Sequence, residues 1–215
     1  IEAFLQISEI VGEEHIGWRY DPIFIDDKYT VKYHLEQFEG ISAALQGYTK
    51  NCVISFLDLY QKVKRNFPEV KMVSKEQRKY LGQRMTRIAT EHKMILRPCG
   101  EGTELAAFGA DCNGCMTQQI YENAIHMSLD MPKKQFLRKE CACYLGNDIG
   151  AYNSCPHMCK YCYANYDEKS VRLNRINHNP KSAFLIGDDM PNDKVHKAVQ
   201  KSWINGQISL NGFFI

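Results

Sequence analysis

Over residues 1–98 the chain alternates helix-like and strand-like stretches, and this alternation limits the folds open to it. Ile1, Phe4, Leu5, Ile7 and Val11 form a helical stripe that Gly12 is placed to end. His15 to Tyr20 then reads as a short buried strand stopped by Asp21-Pro22. Thr30 can cap a helix whose apolar face is Val31, Leu35, Phe38, Ile41 and Leu45, closed by Gly47. Cys52 to Phe56 is a second β-rich run, and Ser74-x-x-Gln77 is a capping box. The helix it opens carries Leu81, Met85, Ile88 and Ala89 on one face, and Met94 to Leu96 is a third strand. Connections of this length imply parallel strands joined by right-handed crossovers. The expected class is therefore α/β: a partial TIM-like (β/α) barrel half, or part of an open sheet, over residues 1–98. In either, polar residues just past strand ends face the ligand side. Those residues are Arg19, Asp21, Ser55, Asp58, Arg97, Cys99 and Glu101, of which Arg19, Asp21 and Glu101 are the catalytic candidates.

From residue 99 to 215 the periodicity weakens and cysteines take over, so a second, Cys-rich metal-binding region is expected, packed on the first. Residues 117–127 and 132–139 read as short helices, and a further helix could begin near Pro156 and run to about Asn165. The densest stretch is Cys155-Pro156-His157-Met158-Cys159-Lys160-Tyr161-Cys162, which sets three thiols at C-x3-C-x2-C spacing. Three thiolates from one loop can hold three irons of a 4Fe–4S cluster and leave the fourth iron open to a small molecule. This resembles the three-cysteine motif of the radical S-adenosylmethionine enzymes. There S-adenosylmethionine chelates the open iron, and an electron from the cluster breaks its carbon–sulfur bond to give a 5′-deoxyadenosyl radical. The rival is structural zinc, which takes four N or S ligands and to which His157 could contribute.

Composition narrows the remaining classes. A net charge of +2 and 44% apolar residues leave no electrostatic footprint for nucleic acid or an anionic membrane. No apolar run reaches the roughly 20 residues that a spanning helix needs, and no signal peptide is visible. Nine cysteines, without an export signal, read as reduced thiols serving metal in a cytoplasmic protein. The sequence opens on Ile1, partway into a helical pattern, so an N-terminal portion is expected to be missing.

Trp18-Arg19-Tyr20-Asp21-Pro22-Ile23, Tyr33-His34, Cys52-Val53-Ile54-Ser55-Phe56 and the run from Asp148 to Asn165 resemble a bacterial family catalogued as a domain of unknown function. That family is noted for a C-terminal cysteine cluster similar to that of radical S-adenosylmethionine proteins. The resemblance implies that Cys155, Cys159 and Cys162 bind a 4Fe–4S cluster, with Tyr161 near the adenine of S-adenosylmethionine. It implies further ligands in Cys99, Cys115, Cys141 and Cys143, the right number for a second 4Fe–4S cluster or a zinc ion. Cys112, three residues before Cys115, is a rival ligand, while Cys52 in its apolar strand reads as core. The expected function is a radical S-adenosylmethionine-type enzyme acting on a small molecule, with a reductase or ferredoxin as electron donor. The alternative is a non-enzymatic module stabilised by zinc or iron–sulfur. The substrate itself is not legible in the sequence.

Overall fold

The computed structural model describes residues 1–132, 141, 143–144, 150–194, 196–197, 199 and 201–205. Two compact units partition the chain, one from Ile1–Leu57, Lys71–Leu145 and Trp203–Ile215, the other from Asp58–Val70 and Gly146–Ser202.

The first unit is built on three parallel strands, β1 (Gly17–Ile23), β2 (Asn51–Phe56) and β3 (Ile95–Pro98), in the order β1-β2-β3. Helix α1 (Glu2–Val11) leads into β1; α2 (Val31–Leu45) links β1 to β2, and α4 (Lys75–Glu91) precedes β3. Capping fixes the starts of both linking helices. Thr30 accepts a hydrogen bond from the Tyr33 amide, and Ser74 with Gln77 completes a reciprocal box. Gly12, at φ 88°, ends α1 as expected.

Register decides what each face of the sheet carries. Trp18, Cys52 and Leu96 are neighbours in one row, and all three are buried in the main apolar cluster with Ile54, Phe38, Leu81 and Met85. The next row is Arg19, Val53 and Arg97. Successive side chains in a strand point to opposite faces, so these project away from that cluster together with Asp21, Ser55 and Asn51. One face therefore holds the helices, and the other presents two arginines to the segments that follow β3.

The barrel expectation is overturned: the described strands make an open three-stranded sheet, with β1 and β3 left as edges. Three strands cannot curve far enough to meet. The first strand also outruns its expected end, continuing through Asp21-Pro22 to Ile23, with a register shift between Tyr20 and Ile23. Pro22 is tolerated because it lies in an edge strand at an irregularity. The helix expected at 117–127 is α5 (Gln118–Ile125), started by Thr117. That expected at 132–139 falls almost wholly outside the described residues.

In the second unit, α3 (Gln61–Asn66) and α6 (Glu168–Ile176) flank an irregular stretch that contains Cys155, Cys159 and Cys162. No helix runs over 156–165. Met158 sits at φ 51°, and the segment turns so that the Cys162 amide donates to the Cys159 carbonyl at 2.9 Å. Lys62 of α3 steadies it, donating to the Tyr163 carbonyl at 3.3 Å and lying 4.6 Å over the Tyr166 ring. Lys160 pairs with Glu69 at 2.8 Å. Among the described residues no helix is long and apolar enough to cross a membrane.

Candidate metal centre

Five cysteines of the first unit, Cys99, Cys112, Cys115, Cys141 and Cys143, line one small cavity together with Pro98 and three glycines. Each arrives by a different physical route. Cys99 is the first residue past β3, and its amide donates to the Ile54 carbonyl at 2.8 Å, so it extends the sheet's hydrogen bonding by one step. The chain then turns sharply through Gly100 and Gly102, at φ 72° and 71°, where a side chain would be strained. Glu101 between them locks the turn. Its carboxylate accepts from the Phe56 amide at 2.8 Å and from Arg78 of α4 at 2.9 Å.

Cys115 is delivered by Arg97. This arginine is buried on the sheet face, where it pairs with Asp111, donates to the Asn51 side chain at 3.1 Å and reaches the Gly114 carbonyl at 3.4 Å. Asp111 in turn accepts from the amide and side chain of Asn113, so the four residues before Cys115 are held from within and from below. Cys143 comes alongside because the Tyr144 amide donates to the Met116 carbonyl at 2.7 Å, a single ladder-like bond between the two segments.

The sulfurs meet as a result. Cys115 Sγ lies 3.3 Å from Cys143 Sγ, and the Cys115 amide donates to the same Cys143 sulfur at 3.2 Å. Hydrogen bonds from Cys115 and from Arg19 hold the Cys99 thiol down to about 6, against the opposing effect of its burial. Cys143 is held down to about 5 by Cys115, by the amides of Cys115 and Met116, and by Cys141. Cys115 moves up, because as the donor to Cys143 and Cys99 it keeps its proton. The thiolate is the metal-binding form of cysteine, and this geometry favours it at two of the thiols. Cys112 goes the other way. Burial raises it, and it packs on the apolar cluster. Cys52 is fully buried in β2, and burial alone pushes its thiol up, as befits a core residue.

Arg19 completes the constellation. Its Nε and Nη2 both bind Asp21 Oδ2, at 3.0 and 2.7 Å, and its Nη1 lies 3.8 Å from Cys115 Sγ. Half-burial would lower its pKa, but hydrogen bonds to Asp21, Cys99 and Cys115 outweigh this and the net shift is upward. Ser55 donates to the same Asp21 oxygen at 3.3 Å. Of the three residues expected to line a substrate side, Arg19 thus stands at the thiols, Asp21 grips Arg19, and Glu101 anchors the adjoining turn. The Arg97–Asp111 pair has no counterpart in the expectations drawn from sequence. The one available signal was Asp111-x-Asn113-Gly114, a turn pattern immediately before a cysteine.

In the second unit Cys155 and Cys159 are exposed and Cys162 is half-buried; all three are free thiols, as are the other six. Asn165 is buried at 5% exposure and donates to the Cys155 carbonyl at 2.6 Å, closing the loop on itself. Its Oδ1 is buried with no hydrogen-bond partner among the described residues, an acceptor left over beside the cysteine loop. Tyr161 is half-buried. Pro156 and Met158 of the loop share a groove with Glu168, Arg172 and Arg175 of α6. Among the described residues no three Cys, His, Asp or Glu side chains already surround a common metal-sized point. In the first unit the sulfurs are instead drawn together by hydrogen bonds to one another.

A family model described as a domain of unknown function, DUF1848, matches residues 1–164. No curated protein and no solved structure matches the chain.

Proposed function

The chain belongs to this family, the domain of unknown function DUF1848, and we propose that it is a cysteine-ligated metalloenzyme with two centres. In this reading Cys99, Cys115, Cys141 and Cys143 hold one centre, closed to exchange by having four thiolates. Cys155, Cys159 and Cys162 hold a 4Fe–4S cluster of radical S-adenosylmethionine type, with Tyr161 beside the adenosyl group. The observation that carries it is the convergence of five cysteines from three separate segments on one cavity, of which Cys112 alone turns to the apolar cluster. Unpaired thiols are scarce resources in a fold, and hydrophobic packing would not align two of them sulfur to sulfur. The loop supports the second half of the reading more modestly, through three thiols free of disulfides and an unsatisfied buried acceptor beside them.

When bound, a three-thiolate cluster supplies an open iron for S-adenosylmethionine and the electron that cleaves it. The chain's own residues have simpler tasks. Asn165 holds the Cys155 backbone in place, and Lys62 and Lys160 tie the loop to the α3 segment. Reduced thiols and a low-potential cluster require a reducing, cytoplasmic setting and an electron donor such as a ferredoxin or a reductase.

Anaerobically purified protein should contain about four irons and four sulfides on the loop, plus the metal of the four-cysteine cavity. Cys159→Ala should remove the loop's iron and sulfide while the chain stays folded, and should abolish formation of 5′-deoxyadenosine from S-adenosylmethionine under reduction. A loaded wild-type protein that never forms 5′-deoxyadenosine would sink the enzymatic reading. An iron-free, sulfide-free protein would sink the loop cluster itself.

A further inference from the structure

The four-cysteine cavity has a size, and the size discriminates between centres. We propose that it is built for a single tetrahedral ion of zinc type rather than a second iron–sulfur cube, with Arg19 as the outer donor to its sulfurs. The inference rests on the reading of Cys99, Cys115, Cys141 and Cys143 as ligands, and it is independent of the loop cluster.

Two observations carry it. Two thiolates on one tetrahedral ion at about 2.3 Å stand about 3.8 Å from each other. Cys115 and Cys143 sulfurs are 3.3 Å apart, so a shift of a few tenths of an ångström opens them around one ion. In a cube each thiolate binds a different iron at a different corner, and the cavity must also admit four irons and four sulfides. The space between these cysteines that the centre of a water-sized sphere can reach is about 10 Å³, room for about one water. Accommodating a cube would mean driving apart the β3 end, the 111–115 turn and the 143–144 segment. The Arg97–Gly114 and Tyr144–Met116 hydrogen bonds join them, and the Cys99–Ile54 bond fixes the β3 end to β2.

Arg19 supplies the second observation. Four thiolates on a divalent ion leave two surplus negative charges, which need donors around the sulfurs. Arg97, the other arginine on this face, is spent on Asp111 and on backbone and amide oxygens. Arg19 is the one whose guanidinium reaches a sulfur. Asp21 takes two of its nitrogens and thereby aims the third at Cys115. A lysine could keep the charge there but not this two-sided grip, because its ammonium is a point and not a fork.

The test uses the full chain carrying Cys155→Ala, Cys159→Ala and Cys162→Ala, with cobalt(II) as the probe. One cobalt per chain should bind, with the intense thiolate-to-cobalt absorption and visible bands of a tetrahedral four-sulfur site. Adding Arg19→Gln should weaken cobalt binding by about 10–100-fold, the usual cost of losing an outer-shell partner, measured by competition with a chromophoric chelator. Arg19→Lys should fall between the two, and it carries the comparison if Arg19→Gln lowers the unfolding midpoint of the metal-free chain. Affinity within twofold of the parent in both variants would overturn the role of Arg19. Recovery of about four irons and four sulfides in this cavity on anaerobic reconstitution would overturn the single-ion assignment. Absence of cobalt–thiolate absorption in the parent would overturn the ligand set itself, and this inference with it. None of these outcomes touches the iron content of the loop in the unsubstituted chain, which tests the other centre.

Discussion

Arg97 shows how a single buried charge can be the foundation of a site that it does not itself belong to. It is 8% exposed, and its guanidinium is matched by Asp111 and by the Asn51 and Gly114 oxygens. Breaking such a pair by removing one member leaves a buried charge uncompensated, which costs more than the pair contributed. Asp111→Ala should therefore destabilise the chain by about 2–3 kcal/mol; the fully buried figure is higher, and Asp111 keeps some access to water. In thermal unfolding this corresponds to a fall of roughly 4–12 °C for a chain of this size. On the proposed metal-binding reading the same substitution should also lower metal content, since Asp111 organises the turn that ends in Cys115. An unchanged melting temperature would show that water replaces the carboxylate without loss. At this scale the sequence was partly legible. Cys52 reads as core from its apolar neighbours and is buried, and the rim position read for Arg19 and Asp21 from their place near a strand end puts the Arg19 guanidinium 3.8 Å from a cysteine sulfur. Arg97 reads from sequence only as a polar residue at a strand end beside Arg19; its pairing with Asp111, 14 residues away, was not legible.

Elements were legible where local chemistry agrees with packing. The Ser74–Gln77 box and the Leu81, Met85, Ile88 and Ala89 stripe both point to α4, and all four side chains are buried there. Short elements with little buried surface were not: α3 buries only Val63 and α6 only Val171, too few positions to register as a period. The helix expected at 156–165 failed for another reason. Met158 at φ 51° and the Asn165–Cys155 bond commit the segment to a closed loop, which the spacing of cysteines alone does not encode. Helix α6 still has a start signal, Asp167, whose carboxylate accepts from the Ser170 amide at 2.7 Å and from its hydroxyl at 2.7 Å. These hydrogen bonds, the backbone one foremost, hold the Asp167 carboxyl below its ordinary value. A carboxyl depressed on folding contributes stability that is fully present above its unfolded pKa, roughly 4, and is lost as pH falls through the folded value. The Ser170 amide resonance should therefore be constant from pH 7 to 5 and begin to move only below about pH 4. Asp167→Asn should keep the cap, since asparagine also accepts this bond, and abolish the acid transition. Persistence of the transition in that variant would assign it to another carboxylate.

At the scale of the whole molecule, three sequential parallel strands were legible and their closure was not. Alternation fixes strand direction and order, yet the number of strands that share a sheet depends on what else pairs with its edges. The main apolar cluster of the first unit is complete without the cysteines that line the cavity, apart from Cys112 at its margin: it joins β1, β2 and β3 to α2 and α4 through Trp18, Phe38, Ile54, Leu81, Met85 and Leu96. The cavity segments, by contrast, are irregular and bury few large side chains; in the 3-10 turn Glu104–Phe108 only Leu105 is buried, and α5 buries none. Ligation would join Cys99 to Cys115 and Cys143 across 16 and 44 residues of chain, closing loops whose freedom the metal removes. Because a metal that binds only the ordered form adds its binding free energy to that order, its removal acts where the ligands lie. On the proposed reading, stripping the metal with a chelator should thus leave amide protection in residues 51–56 and 81–89 within about threefold of the loaded protein, and lower it by tenfold or more across 99–125, the contrast expected of a locally opening region. Hydrogen–deuterium exchange with mass spectrometry reads both segments in one experiment. Uniform loss of protection would mean that the sheet core depends on the metal too. Unchanged protection in 99–125 would mean that hydrogen bonds around Arg97 and Glu101 are enough to hold the cysteines together, leaving the metal no structural part to play.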